Sequence, residues 1–224
     1  MGIFNEFNKK EKPVFTGSRF GFGSGGGAGA SGPSLTVTGG TEIKSVGYTI
    51  HVFTGPGTLT VANGDATVDY LVVGGGGAGG GGYAPGGGGG GAGGMLTGTD
   101  YSLVAGSYPI TVGSGGVWQP NPAGPLTSGG NSTLGSLFTA YGGGHGSRSP
   151  SEQAEPGGSG GGGAGGDNSF SVSPQNAGDG NKQTGTSTAA PQTPQGNAGG
   201  SGGPNGNAYG GQGGGGGGAG GAGD

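Results

Sequence analysis

The sequence predicts a mainly β fold: a small antiparallel β-meander or sandwich, followed by a packed bundle of polyglycine helices of the polyproline-II type, with almost no α-helix. Three observations predict it. Glycine supplies 72 of 224 residues, much of it in consecutive blocks at 74–94, 157–166, 199–203 and 210–223. Short alternating stretches rich in Val, Ile, Thr and Tyr run from residue 35 to residue 141, and no segment holds a helical period. The first block begins at Gly74, directly after the apolar run Leu71-Val72-Val73. It therefore continues an ordered element and does not simply separate two domains.

Taken in order, residues 1–23 form a distinct head. Phe4 and Phe7, with Lys9, Lys10 and Lys12, suit one amphipathic turn that Pro13 ends. Phe15, Arg19, Phe20 and Phe22 follow in a β-prone stretch, so this head holds five of the eight phenylalanines. Exposed aromatics cluster at contact surfaces, and Phe4, Phe7, Phe15, Arg19, Phe20 and Phe22 are the expected docking residues. Residues 24–34 are a flexible Gly/Ala/Ser linker. A β-rich region spans 35–146. Its expected strands are 35–38; 46–53, with Tyr48, Ile50 and Val52 on one face and His51 toward solvent; 58–61; 67–73, whose apolar end suggests burial on both faces; 101–104; 108–112; and a last stretch at 132–141. Gly55-Pro56-Gly57 reads as a turn, and Asn63-Gly64 reads as a type I′ hairpin. Residues 147–224 alternate glycine blocks with polar segments.

Only 27% of residues are hydrophobic and 8% charged, too few side chains for an ordinary core. Collagen is excluded, because the glycines run consecutively and not as Gly-X-Y. Disorder and a flexible linker are two readings of the blocks. The third is a bundle of polyproline-II helices, which have three residues per turn and no internal hydrogen bonds. Helices bare of side chains approach closely enough for their outward N–H and C=O groups to bond one another, which answers where the backbone hydrogen bonds go. The polar segments would then be loops at the bundle ends.

Net charge is −4, and residues 46–224 carry two basic against eight acidic groups, so nothing follows a phosphate backbone and no nucleic-acid binding is expected. There is no cysteine, and no apolar run approaches the roughly 20 residues of a membrane span. The N-terminus lacks a signal-peptide pattern, and Glu6 breaks the myristoylation motif that Met-Gly opens. Synthesis in a cytoplasm is the expectation.

Chemistry is thinly represented. Gly74, Gly76 and Gly79 match a dinucleotide-binding turn, but glycines follow where a helix would have to start. His51 and His145 have no metal spacing, and Glu152 and Glu155 are most simply solubilising. No enzyme activity, cofactor or metal is expected. Polar loops on a rigid scaffold are better candidates for recognition. Trp118, Gln119, Asn121, Phe170 and Tyr209 offer aromatic faces beside amides, as sugars or exposed protein loops require. For Trp118 a plain packing role stands equally open.

Residues 48–54 (YTIHVFT), 57–61 (GTLTV) and 68–73 (VDYLVV) running into glycine resemble the glycine-rich domain of bacteriophage tail and appendage proteins, and 108–116 and 132–144 are similar to its second half. The C-terminal alternation is similar, more loosely, to distal tail-fibre adhesins of T-even-type phages, in which polyglycine helices form a sandwich whose tip loops bind the receptor. The head, 12–23, resembles virion proteins of marine phages. The resemblance implies a virion appendage assembled in the host cytoplasm, attached to other virion proteins by its N-terminus. It also implies a homo-oligomer, plausibly a trimer, that meets a host polysaccharide or outer-membrane protein. Two departures stand: the loops carry few aromatics, and the head differs from the adhesins' fibre-attachment region. A structural capsid or tail decoration without receptor binding is the alternative, and an ice-binding or cell-wall protein lacks the regular Thr spacing or export signal it would need.

Overall fold

The structure, a computed structural model, describes residues 34–81, 86–118, 126–149, 152–166, 178, 195–203 and 211–219. It is mainly β, with antiparallel sheets and no helix among the described residues. Nine strands occur there: β1 (Thr36–Thr38), β2 (Thr41–Ser45), β3 (Tyr48–Val52), β4 (Gly57–Ala62), β5 (Ala66–Val73), β6 (Met95–Leu103), β7 (Gly106–Thr111), β8 (Ser132–Leu134) and β9 (Phe138–Ala140). One sheet has the order β1-β4-β7-β8-β9, while β2–β3 and β5–β6 form separate two-stranded ribbons.

This order corrects the expected meander. Asn63 and Gly64 do take positive φ (62° and 136°), as their sequence predicts, but they join β4 to a strand of another sheet and form no hairpin. Asp65 fixes that exit, its Oδ1 accepting from the Ala105 amide at the connection between β6 and β7 (3.0 Å). Likewise β6 and β7, consecutive in sequence, pair with β5 and β4. Residues 132–141 are two strands around Gly135 (φ 52°) and not one.

The side-chain core is small: Leu59, Val61, Ala66, Leu96, Leu103, Leu134, Phe138 and Ala140. Its centre is aromatic. Tyr70 stacks on Phe138 at 4.1 Å between centroids, and Tyr101 meets the same ring edge-on at 4.8 Å. This clamps β5–β6 against β8–β9. The far face of β5 is uncovered, with Leu71 64% and Val73 49% exposed. The two-sided burial expected from its apolar run is therefore wrong, because only one layer packs on this ribbon. In β3 neither face is buried as expected. Tyr48, Ile50 and Val52 do share a face, but all three are exposed, and His51 is the half-buried one, its Nδ1 donating to the Gly39 carbonyl at 2.8 Å. The strand β2, masked in sequence by Glu42 and Lys44, is the antiparallel partner of β3.

Beyond the sheets the glycine segments bond to one another with a period of three. Gly74, Gly77 and Gly80 donate to Gly94, Gly91 and Gly88 (2.8–2.9 Å). Segment 86–94 in turn donates from Gly88, Gly91 and Gly94 to Ser147, Gly144 and Tyr141, and from Gly89 and Ala92 to Gly214 and Gly217. It accepts from Ser159, Gly162 and Gly165 through Ala92, Gly89 and Gly86. It thus has four bonded neighbours, whereas a β-strand has two edges and at most two. Every residue from Gly157 to Gly166 is buried, in a segment with no side chain larger than serine. That interior is made of backbone.

The glycines are needed for room. None within these blocks takes a positive φ among the described residues. A Cβ on Gly77 would overlap the Gly144 carbonyl, one on Gly88 the Gly162 carbonyl, and one on Gly162 the Gly214 carbonyl.

Candidate functional site: the outer end of the glycine layer

The layer has two distinct ends. At the inner end Gly74 follows β5 and Gly94 precedes β6 directly, Gly142 follows β9 after Tyr141, and the β5–β6 register carries through Val73↔Met95 into the Gly74–Gly94 bond without a break. The β7–β8 pair extends likewise, with Gly130 donating to Ser114 at 2.8 Å. The outer end is marked by Gly80 with Gly88, Ser147 with Gly162, Gly165 with Gly86, and Gly203 with Gln212.

Side-chain oxygens serve amides around the layer's margins. Ser132 Oγ accepts from Gly113, Asn131 Oδ1 from Gly142, Thr127 Oγ1 from Val117 and Ser147 Oγ from Ala164. Gln195 does most. Its Oε1 accepts from the Tyr141 amide (2.8 Å), its Nε2 donates to the Thr139 carbonyl (2.9 Å), and its own carbonyl accepts from Met95 (3.0 Å). A single amide side chain thereby does the work of a strand along the end of β9. Sequence reasoning passed over Gln195; a glutamine ahead of a glycine block was the only signal, and Gln192 in a similar setting made it ambiguous.

Of the expected contact residues, Trp118 alone is described. Its indole Nε1 lies against Gly81, where a Cβ would collide with it, yet the side chain remains 53% exposed beside Val117. It therefore packs on glycine backbone and keeps about half of its surface exposed. Gln119 and Asn121 lie between the described residues Trp118 and Leu126, Phe170 follows Gly166, and Tyr209 precedes Gly211; these four lie outside the described residues. Their described flanks, Trp118, Gly166, Gly203 and Gly211, belong to the outer end. Phe4, Phe7, Phe15, Arg19, Phe20 and Phe22 also lie outside the described residues.

The charged group of this end is the Arg148–Glu152 pair. Arg148 donates from Nε and Nη2 to Glu152 (2.9 and 3.2 Å), and the Glu152 amide donates to Ser149 (3.0 Å). Glu152 is therefore more than solubilising, since it closes the chain reversal between segment 142–149 and residues 152–157. The hydrogen bond from Arg148 holds the Glu152 carboxyl below its ordinary range, against a smaller opposing effect of burial. A carboxyl with a depressed folded pKa adds stability above its unfolded value of about 4.5 and loses it as pH falls through the folded value. The Glu152→Gln variant is expected to lose less melting temperature than the parent between about pH 5 and about pH 3, measured by thermal melts across that range. Among the described residues no group of three His, Asp or Glu side chains could hold a metal ion.

No curated protein and no solved structure matches the chain. A family model described as a glycine-rich domain matches residues 51–224, which takes in the sheet core from β4 onward and every glycine segment. The chain belongs to that glycine-rich domain family.

Proposed function

We propose that this protein is a non-enzymatic bacteriophage virion appendage protein, whose glycine layer is a bundle of polyglycine helices holding polar segments away from the particle. The period-three bonding supports the helix reading, since a polyproline-II helix has three residues per turn and offers groups to neighbours all round its axis. The observation that carries the functional reading is the polarity of the layer. Its inner end continues the strands, and the described flanks of residues 82–85, 119–125 and 204–210 lie at the other end. A backbone-bonded scaffold tolerates any polar sequence in such segments, because none of its bonds depends on them. The head, 1–23, attaches to other virion proteins, and Trp118, Gln119, Asn121, Phe170 and Tyr209 belong to the surface offered to a host polysaccharide or outer-membrane protein.

The test exchanges residues 119–125 and 204–210 for Gly/Ser sequence of equal length in the assembled particle. Normal particle yield with lost adsorption is the expected result. Unchanged adsorption would sink the receptor role and leave the decoration reading. Deleting residues 1–23 is expected to leave a folded protein that no longer joins the particle.

A further inference from the structure

We propose that Asn63-Gly64 is a site of spontaneous covalent modification, where the asparagine loses its amide nitrogen and the joint between two sheets loosens as the protein ages. These two residues connect β4, in the five-stranded sheet, to β5, in the β5–β6 ribbon. Asn63 has φ 62° and Gly64 φ 136°, and both residues are exposed. Any side chain at Gly64 would be strained by that φ, although the space around it is open. The fold therefore requires glycine here. Glycine is also the residue whose backbone nitrogen most easily reaches the side-chain carbonyl of a preceding asparagine, because it has no Cβ in the way.

Little holds that nitrogen back. The Gly64 amide makes no hydrogen bond among the described residues, and no hairpin bond closes the connection. The Asn63 side chain is tied only at the surface, where Nδ2 donates to the Ser34 carbonyl at 3.3 Å. The other two described asparagines are held differently. Asn131 Oδ1 accepts from the Gly142 amide, and the next residue, Ser132, is buried in β8. Asn197 Nδ2 donates to the Gly218 carbonyl at 2.8 Å, and Ala198 follows it with a Cβ that crowds the approach.

The reaction balances with water alone. The Gly64 nitrogen gives up its proton and attacks Asn63 Cγ, the Cγ–Nδ2 bond breaks, and ammonia leaves a cyclic succinimide behind. Water then opens either carbonyl of the ring. One opening gives aspartate; the other gives isoaspartate, with the main chain rerouted through Cγ. Aspartate tolerates the left-handed backbone, but it turns the donor to Ser34 into a charged acceptor facing a carbonyl. Isoaspartate lengthens the main chain by one carbon between Ala62, which pairs with Thr36, and Asp65, whose Oδ1 accepts from the Ala105 amide at 3.0 Å. A connection fixed at both ends cannot take up that carbon without disturbing one of them.

The test incubates the full folded chain at mildly alkaline pH and follows each asparagine by peptide mapping and mass spectrometry, with a urea-unfolded sample in parallel. Asn63 is expected to gain one dalton in the folded chain well before Asn131 or Asn197, at a rate that rises with pH, and with isoaspartate among its products. The other Asn-Gly pair of the sequence, Asn205-Gly206, lies outside the described residues and is scored on its own peptide. Reaction of Asn63 in the unfolded chain alone would overturn the proposal, since the fold would then protect it, as would equal rates at Asn63, Asn131 and Asn197. Asn63→Gly keeps a residue that accepts positive φ and removes the reacting side chain. After equal ageing, the parent is expected to have lost roughly 2–4 °C more melting temperature than Asn63→Gly, each against its own fresh sample. Equal losses would overturn the loosening of the joint.

Discussion

Gly77→Ala is expected to destabilise the protein by about 3 kcal/mol or more, while Gly76→Ala, one residue away, is expected to be neutral or to stabilise it slightly. The two positions share a block, a neighbour in sequence and a backbone free of positive φ. They differ in what a methyl group would meet. At Gly77 it would overlap the Gly144 carbonyl and come within 2.7 Å of the Gly143 oxygen, all of it backbone. Backbone cannot change rotamer, so segments 74–81 and 142–149 must part. Parting them strains Gly143 to Gly75 and Gly146 to Ala78, and then the Gly77 to Gly91 bond on the other side. Overpacking a tight interior costs about 1–3 kcal/mol, and each strained hydrogen bond about 0.5–1.5 kcal/mol more. At Gly76 the nearest atom would be 3.7 Å away and the residue is exposed. There the smaller conformational freedom of the unfolded chain is the main effect, worth about 0.4–1 kcal/mol in favour of folding. Denaturant unfolding of the two variants side by side decides the matter. Equal stabilities would show that the glycines are not there for close approach.

Gln195→Ala is expected to cost about 2 kcal/mol, an unusual loss for one polar residue. It leaves the Tyr141 amide and the Thr139 carbonyl without their partner at the place where β9 passes into segment 142–149. Gln195→Glu separates the two contacts. A carboxylate still accepts from Tyr141 but opposes a second acceptor to the Thr139 carbonyl. The carboxyl's pKa should therefore rise in the folded state, so that stability is lost at neutral pH and regained as pH is lowered and the group takes up a proton. Melts of both variants across the acid range read this directly. A Gln195→Glu protein with the same pH dependence as its parent would rule out the donor role of Nε2.

The Arg148–Glu152 bridge contributes on a smaller scale. It sits partly exposed at one reversal, and such pairs add little unless their geometry is well set. Here the bidentate arrangement and the Ser149 contact set it, which is why its signature is sought in pH dependence and not in a large stability change.

The sequence was legible wherever local chemistry dictates local form. Four of the nine strands (β1, β3, β8 and β9) fall within stretches that alternation and β-branched residues mark, β4, β5 and β7 overrun theirs by one or two residues, and the positive φ at Asn63 and Gly64 follows from their residue types. The strands that were missed or shortened are informative. In β2 the charged residues of an exposed face hid the strand, and β6 begins at Met95, straight out of a glycine block that has no side chains to form a pattern. Faces were predicted poorly for a related reason. Alternation shows that Ile50 and Val52 lie on one side of β3, but only the surrounding layers determine whether that side is covered, and in β3 and β5 they leave it open. Of the candidate site, the sequence marked Trp118 and the polar segments. It could not mark Gln195, whose role depends on where residues 139–141 arrive.

By itself the sequence determined that a conventional core was out of reach and that backbone must bond to backbone, because a third of the chain has no side chain to bury. Only the tertiary structure decided which backbone. The register of β5–β6 passes unbroken through Val73 and Gly74 into the layer, and the bonding period changes there from two to three. Glycine is uniform in sequence, so no residue of a block names its partner. The partners are chosen by strands and side-chain hydrogen bonds at the layer's margins, above all β5–β6, β7–β8 and Gln195, which set where each featureless segment begins.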